Sequence, residues 1–184
     1  MQAEAQIRRK SWSRRKTIIV VLTSIVALFV AYRVVFILFV VFVAQPVKIE
    51  GVAMSPTLNH GDRVFLGKNV NKLSRGDIVV FHFPLDTDKS FIKRIVGLPG
   101  ETIRMDKDGQ LYINGNPMDE PYLAFERNRS PRVIPEQTIK PDHYFVMGDN
   151  RDASNDSRSW GLVPKNLIYG KVIWRYWPIS GDVQ

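Results

Sequence analysis

From Thr17 to Ala44 the chain is apolar on every side, broken by a single charge at Arg33. A helix needs roughly 20 apolar residues to cross a bilayer, and a soluble helix of this length would show a polar face. The run outlasts the apolar core of a cleaved signal peptide and does not end in a small-x-small cleavage pattern, so it predicts a retained anchor. No Gly or Pro interrupts it before Pro46. That favours one helix continuing through Arg33 over a span ending at Tyr32 with residues 34–44 lying in the interface.

After Pro46 the periodicity changes. Short runs rich in Val, Ile, Phe and Tyr alternate with turn residues, the pattern of strands. They predict strands over Val47–Glu50, Arg63–Gly67, Asp77–Phe83, Phe91–Gly97, Glu101–Met105, Gln110–Ile113, Tyr144–Met147 and Lys171–Tyr176. Lys107-Asp108-Gly109 closes a hairpin, and Asn114-Gly115 is a further turn signal. Ala124–Pro141 carries three prolines and weak periodicity, and reads as a long loop or a small inserted lobe. The expected organisation is a basic tail (1–16), a transmembrane anchor (17–44) and an antiparallel β domain (45–184) with a smaller inserted β lobe over about 101–141. The fold class is mostly β.

Charge changes the picture by where it sits. The net charge of +8 suggests nucleic acid, but Arg8, Arg9, Lys10, Arg14, Arg15 and Lys16 precede the apolar run, and only about +2 remains for residues 45–184. A nucleic-acid binder carries its basic stripe on the folded domain. Here the basic flank sets membrane orientation, with the N-terminus in the cytoplasm and the β domain on the extracytoplasmic face. The absence of cysteine excludes disulfides, a thiol nucleophile and Cys-ligated zinc. His60, His82 and His143 have no metal-ligand spacing, and neither a metal nor an organic cofactor is implied. Trp174, Tyr176, Trp177, Phe81 and Phe83 are candidates for an apolar rim that meets lipid.

Three segments exceed what strands and turns require. The first is Gly51-Val52-Ala53-Met54-Ser55-Pro56-Thr57-Leu58. The second runs from Arg75-Gly76-Asp77 through Lys93-Arg94 to Gly100-Glu101. The third is Gly148-Asp149-Asn150-Arg151-Asp152-Ala153-Ser154-Asn155-Asp156-Ser157-Arg158-Ser159-Trp160-Gly161. Alternation puts Phe91, Lys93 and Ile95 on one strand face. On spacing alone, Lys93 reads equally as a desolvated base or as an edge charge that deters aggregation. Ser154 reads unaided as a turn serine, and the Asp and Arg residues as solvated loop charges.

In this order, after an anchor, the three segments closely resemble the bacterial type I signal peptidases, which cleave signal peptides from exported proteins at the outer membrane face. The resemblance implies a serine endopeptidase with a Ser-Lys dyad. It makes Ala53 the nucleophile position, Lys93 the general base and Ser154 the residue that hydrogen-bonds and orients Lys93. Gly51, Met54 and Pro56 shape the substrate groove, and backbone N–H groups near residue 53 form the oxyanion hole. Arg94 with Asp149, and Asp156 with Arg158, form supporting ion pairs. Signal peptides and membrane lipid are the implied partners.

One position departs from the family. Its pattern Gly-x-Ser-Met-x-Pro-Thr-Leu carries serine where this chain has Ala53. Alanine has no hydroxyl and forms no acyl-enzyme. Four readings stand beside one another. The chain is an inactive homologue that binds signal peptides or assists an active paralogue; its serine has been deliberately replaced; Ser55 acts instead; or Lys93 activates water. In an extended segment the Ser55 hydroxyl would share a face with Ala53 but sit roughly 6–7 Å away, too far for near-attack geometry.

Overall fold

A computed structural model describes residues 2–129 and 132–178, with side chains described outside 2–13 and 39–43. The Arg8, Arg9 and Lys10 side chains therefore lie outside the described part. The chain divides into two compact units, residues 1–43 and 44–184.

The first unit is one helix, α1 (Gln2–Val43), which runs through Arg33 without a break. It begins well before Thr17 because the Ala, Glu, Gln, Arg and Lys residues of the tail are themselves good helix formers. Its stretch Arg14–Leu38 is long and apolar enough to cross a membrane, and every side chain in that stretch is exposed.

The second unit contains two antiparallel sheets. Strands β1 (Ala44–Lys48), β2 (Arg63–Gly67), β3 (Ile78–Phe83), β4 (Asp86–Gly97), β9 (His143–Met147), β10 (Val163–Pro164) and β11 (Ile168–Trp177) form a seven-stranded sheet. Their order is β1-β2-β11-β3-β4-β9-β10. The four-stranded sheet holds β5 (Thr102–Met105), β6 (Leu111–Ile113), β7 (Asn116–Pro117) and β8 (Ile134–Thr138), in the order β7-β6-β5-β8. The architecture is mostly antiparallel β with one N-terminal apolar helix, as the hydrophobic pattern predicts.

The differences have local causes. Strand β8 lies inside the segment read as loop or lobe. Only Ile134 of its five residues is buried, and its Pro135 suits the edge position that β8 holds. Strand β4 starts at Asp86 instead of Phe91 because a two-residue turn at Pro84-Leu85 pairs Phe83 with Asp86. The added residues are polar and mostly exposed, so no apolar run marks them. Strand β11 shifts register between Val172 and Trp174 and again between Arg175 and Trp177. These irregularities break the alternation that would have marked its full length.

Strand β3 is buried on both faces. Ile78 and Val80 join Ile49, Met54, Leu58, Val64 and Leu66 in one core cluster. Val79 and Phe81 join Ile95, Tyr144 and Val146 in another. Phe81 is therefore core rather than rim, and Phe83 stacks on Phe91 and meets Trp160 edge-on. Trp174, Trp177 and neighbouring Ile173 are the exposed members of the C-terminal strand.

Candidate active site

Strand alternation sends the adjacent residues Lys93 and Arg94 to opposite faces of β4. Lys93 is paired in register with Val79, and Arg94 with Ile78 and Met147. Both are buried, at 5% and 2% exposure, and each meets a different part of the segment 148–158.

Arg94 is held by the carboxylate of Asp149, with Nε donating to Oδ1 at 2.9 Å and Nη2 to Oδ2 at 2.7 Å. Nη1 donates to the Gly76 carbonyl at 2.8 Å, and the Thr57 hydroxyl adds a 2.5 Å bond to Asp149 Oδ2. Asp156 and Arg158 form a second bidentate pair at 2.8 and 2.9 Å, and Asp156 also accepts from the Gly148 N–H at 3.0 Å. Burial alone would push the Asp156 carboxyl up. The Arg158 hydrogen bonds and charge, the Gly148 N–H and nearby Ser154 outweigh it and hold the group below its ordinary range. Neither pair is the exposed loop pairing that the bare sequence suggests.

These pairs fix the Gly148–Asn150 stretch against the turn that carries Ala53. The Asn150 N–H donates to the Ala53 carbonyl at 3.0 Å, and its side-chain amide to the Val52 carbonyl at 3.2 Å. Gly148 has to lack a side chain, since a Cβ there would collide with Ser154 Oγ and the Ala53 carbonyl oxygen. The turn is braced from behind by Arg175, which reaches the Thr57 carbonyl at 3.1 Å and Asp62 at 3.2 Å. Gly51 has φ +90°, a left-handed conformation that suits glycine.

Ala53, Met54, Gly51 and Lys93 line one cleft of about 230 Å³, with Ile49, Ile92 and Asn155. Pro56 is exposed and is not among its lining residues. Because the segment is a turn and not a strand, Ser55 does not share a face with Ala53. It is buried at 2% exposure and its hydroxyl donates to Asn59 Oδ1 at 2.8 Å.

Among the described residues, the Lys93 amine has no salt-bridge partner. Its Nζ donates to the Ile92 carbonyl at 2.9 Å and lies 5.2 Å from the centre of the Phe91 ring. Burial lowers its pKa to about 8, Asp156 opposes that shift, and Arg158 adds to it. The expected hydrogen bond from Ser154 to Lys93 is not formed. Ser154 Oγ is buried and meets no partner at full hydrogen-bond geometry among the described residues, although its hydroxyl lies close enough to the Asp156 carboxylate to help hold that pKa down. Ala53 carries no hydroxyl, and the hydrogen bond of the amine is to its own strand.

A sequence profile described as "Signal peptidase, peptidase S26" matches residues 20–177. The chain belongs to the signal peptidase S26 family. Signal peptidase IB of Staphylococcus aureus strain N315 is 38% identical over 164 residues, covering 78% of this chain and 84% of that protein. Signal peptidase I of Bacillus amyloliquefaciens is 37% identical over 191 residues, covering 96% of this chain and 92% of that protein. A crystal structure of a signal peptidase I from Enterococcus faecalis V583 aligns with a TM-score of 0.50 at 33% identity, covering 56% of this chain and 98% of that one. By family, the chain is a serine endopeptidase.

The structure thus brings Gly51, Ala53, Met54 and Lys93 to one cleft, with Asp149, Ser154, Asp156, Arg94 and Arg158 packed around them. Sequence reading missed Glu120 and Tyr122. Glu120 makes a buried ion pair with Arg151 at 2.5 Å, and the Tyr122 ring covers Arg94 with its centre 4.1 Å from Cζ. A pairing across 31 residues leaves no local signal. Among the described residues, no group of His, Cys, Asp or Glu could hold a metal ion.

Proposed function

We propose that the cleft between Ala53 and Lys93 binds the signal peptides of exported preproteins, and that it is built for Ser-Lys dyad hydrolysis from which the nucleophile alone is missing. The observation that carries this reading is Lys93, a buried amine with no counter-ion in salt-bridge contact and a pKa lowered to about 8. An ammonium is costly to bury without a partner. That cost is useful where a neutral amine must accept a proton near neutral pH.

With serine at position 53, the Oγ proton passes to neutral Lys93 Nζ as Oγ attacks the carbonyl carbon of the scissile bond. The amine then returns the proton to the leaving nitrogen, and water releases the acyl group by the same base. Alanine stops the sequence before its first bond forms. Loss of a catalytic serine leaves roughly 10³–10⁴-fold residual catalysis in the well-studied triad case. Ser55 does not replace it, because its hydroxyl is engaged with Asn59 in a buried turn. The chain as it stands therefore binds peptide with little or no turnover, as an inactive homologue beside an active paralogue or as a variant with its serine replaced. The test is cleavage of a preprotein with small residues at −1 and −3 by the Ala53→Ser protein.

The anchor belongs to the same reading. The basic flank before Thr17 keeps the N-terminus inside and places the β domain on the extracytoplasmic face. Protease added outside intact cells is expected to digest the region after Pro46 and to spare residues 1–16. Protection of the C-terminal region would reverse the orientation.

A further inference from the structure

The Glu120 carboxylate lies outside the cleft, yet it is the centre of a buried network that ends on both sides of it. Oε1 accepts from the Tyr122 hydroxyl at 2.5 Å and from Arg151 Nη2 at 2.5 Å, and Oε2 accepts from Arg151 Nη1 at 3.2 Å. The Arg151 and Glu120 side chains are 5% and 6% exposed. Arg151 carries the network onward in two directions. Its Nε donates to the Gly148 carbonyl at 3.1 Å, and its own carbonyl accepts from Arg158 Nη2 at 2.8 Å. Tyr122 closes a third connection, with its ring over the Arg94 guanidinium that clamps Asp149.

We infer that Glu120 and Tyr122 are positioning residues for the Ala53–Lys93 cleft, holding Arg151 and Arg94 so that the 148–158 segment keeps the cleft's geometry. The inference rests on the proposed role of Lys93 as the base. Glu120 and Tyr122 touch neither Ala53 nor Lys93. They act through Gly148–Asn150, which holds the Val52 and Ala53 carbonyls, and through Arg158, whose partner Asp156 is the carboxylate that opposes the lowering of the Lys93 pKa. If Glu120 is neutralised, Arg151 is left as an unpaired buried cation, which is strongly unfavourable. Its guanidinium is drawn toward water and gives up the Gly148 carbonyl, so the 148–151 backbone, whose Arg151 carbonyl is an acceptor for Arg158, loses its brace. Lys93 is then rehydrated, and loss of desolvation moves a lysine back toward its ordinary pKa.

The test uses the full chain in detergent with ¹³Cε-labelled lysine, the Lys93 resonance being assigned by its loss in Lys93→Met. The charged groups acting on Lys93 are Asp156 and Arg158, and both remain in every variant titrated. Glu120→Gln is expected to raise the Lys93 titration midpoint by roughly one pH unit, and Tyr122→Phe to raise it by less in the same direction. In the Ala53→Ser background the same changes should lower kcat more than they raise KM and shift the acid limb of the pH profile upward. Glu101→Gln, which breaks the remote Arg75–Glu101 pair, is the control for simple loss of stability and should leave the midpoint in place. Should Glu120→Gln fail to fold, Tyr122→Phe decides, since it removes one hydroxyl and keeps the ring over Arg94. An unchanged Lys93 midpoint in the folded variants would overturn the inference. An inactive Ala53→Ser protein would count against the dyad reading instead, because the titration needs no turnover.

Discussion

The Lys93 amine donates to the carbonyl of Ile92 at 2.9 Å, the residue beside it on the same strand. The amine thus holds a buried position and a lowered pKa with no hydroxyl at residue 53 to meet. Ser154 Oγ, buried and with no partner at full hydrogen-bond geometry among the described residues, has the capacity to receive that amine once it turns toward residue 53. In Ala53→Ser, Lys93 Nζ is expected to leave Ile92 for the new hydroxyl and Ser154, a rearrangement a crystal structure of the variant would display directly.

The lowered pKa of Lys93 makes a signed statement about stability. The group titrates near 8 in the folded protein against 10.5 as its ordinary value. Below about pH 8 it is charged in both states, and the folded state bears the whole burial penalty. Between 8 and 10.5 the unfolded chain binds more protons, so stability rises with pH; above 10.5 the penalty is gone. Lys93→Met should therefore stabilise the protein below pH 8 by on the order of 3 kcal/mol, with the advantage shrinking across that window. Denaturation of both proteins at pH 7, 9 and 10.5 measures it. A gap that stays constant with pH would mean that Lys93 titrates alike in both states.

Asp149→Asn should be among the most damaging single changes away from the apolar core. It breaks the bidentate pair that clamps Arg94, which is 2% exposed, and breaking a buried pair costs about 3–5 kcal/mol. Replacing both partners with Arg94→Met and Asp149→Leu should cost less than Asp149→Asn alone. Thermal unfolding of the three variants distinguishes this from a weak surface pair, for which all would lie within about 1 kcal/mol of the parent.

Ile173, Trp174 and Trp177 expose more than half of their surface on one strand, and Trp suits a lipid–water boundary. The β unit cut before Ala44 should float with anionic liposomes, and Trp174→Ser with Trp177→Ser should return it to the soluble fraction. Flotation that ignores those two changes would place the lipid contact elsewhere.

Much of the fold is legible because burial there is periodic. Val64 and Leu66 alternate with exposed or half-buried neighbours over the whole of β2, and that strand has the limits its pattern predicts. Strand β8 offers one buried residue and a proline, so nothing in Ile134–Thr138 distinguishes it from loop. Phe81 looks like a rim residue only if β3 is assumed to have an open face, and packing on both sides removes that face. At the site, the motif segments indicate which residues gather, because Asp149, Asp156 and Arg158 lie in one short run. They do not reveal the burial that turns those charges into clamps. Glu120 and Tyr122 escape notice because they act through arginines whose importance lies in distant contacts.

On the proposed function, one missing hydroxyl separates this chain from a working dyad. The direct measurement is cleavage, in detergent, of a preprotein with small residues at −1 and −3. It compares four proteins: the unmodified chain, Ala53→Ser, Ala53→Ser with Lys93→Ala, and Ser55→Ala. The account predicts little or no cleavage by the unmodified chain and robust cleavage by Ala53→Ser. That activity should rise with pH as Lys93 loses its proton near pH 8, and Lys93→Ala should abolish it. Robust cleavage by the unmodified chain that Ser55→Ala abolishes would contradict the account, since the nucleophile would then be Ser55.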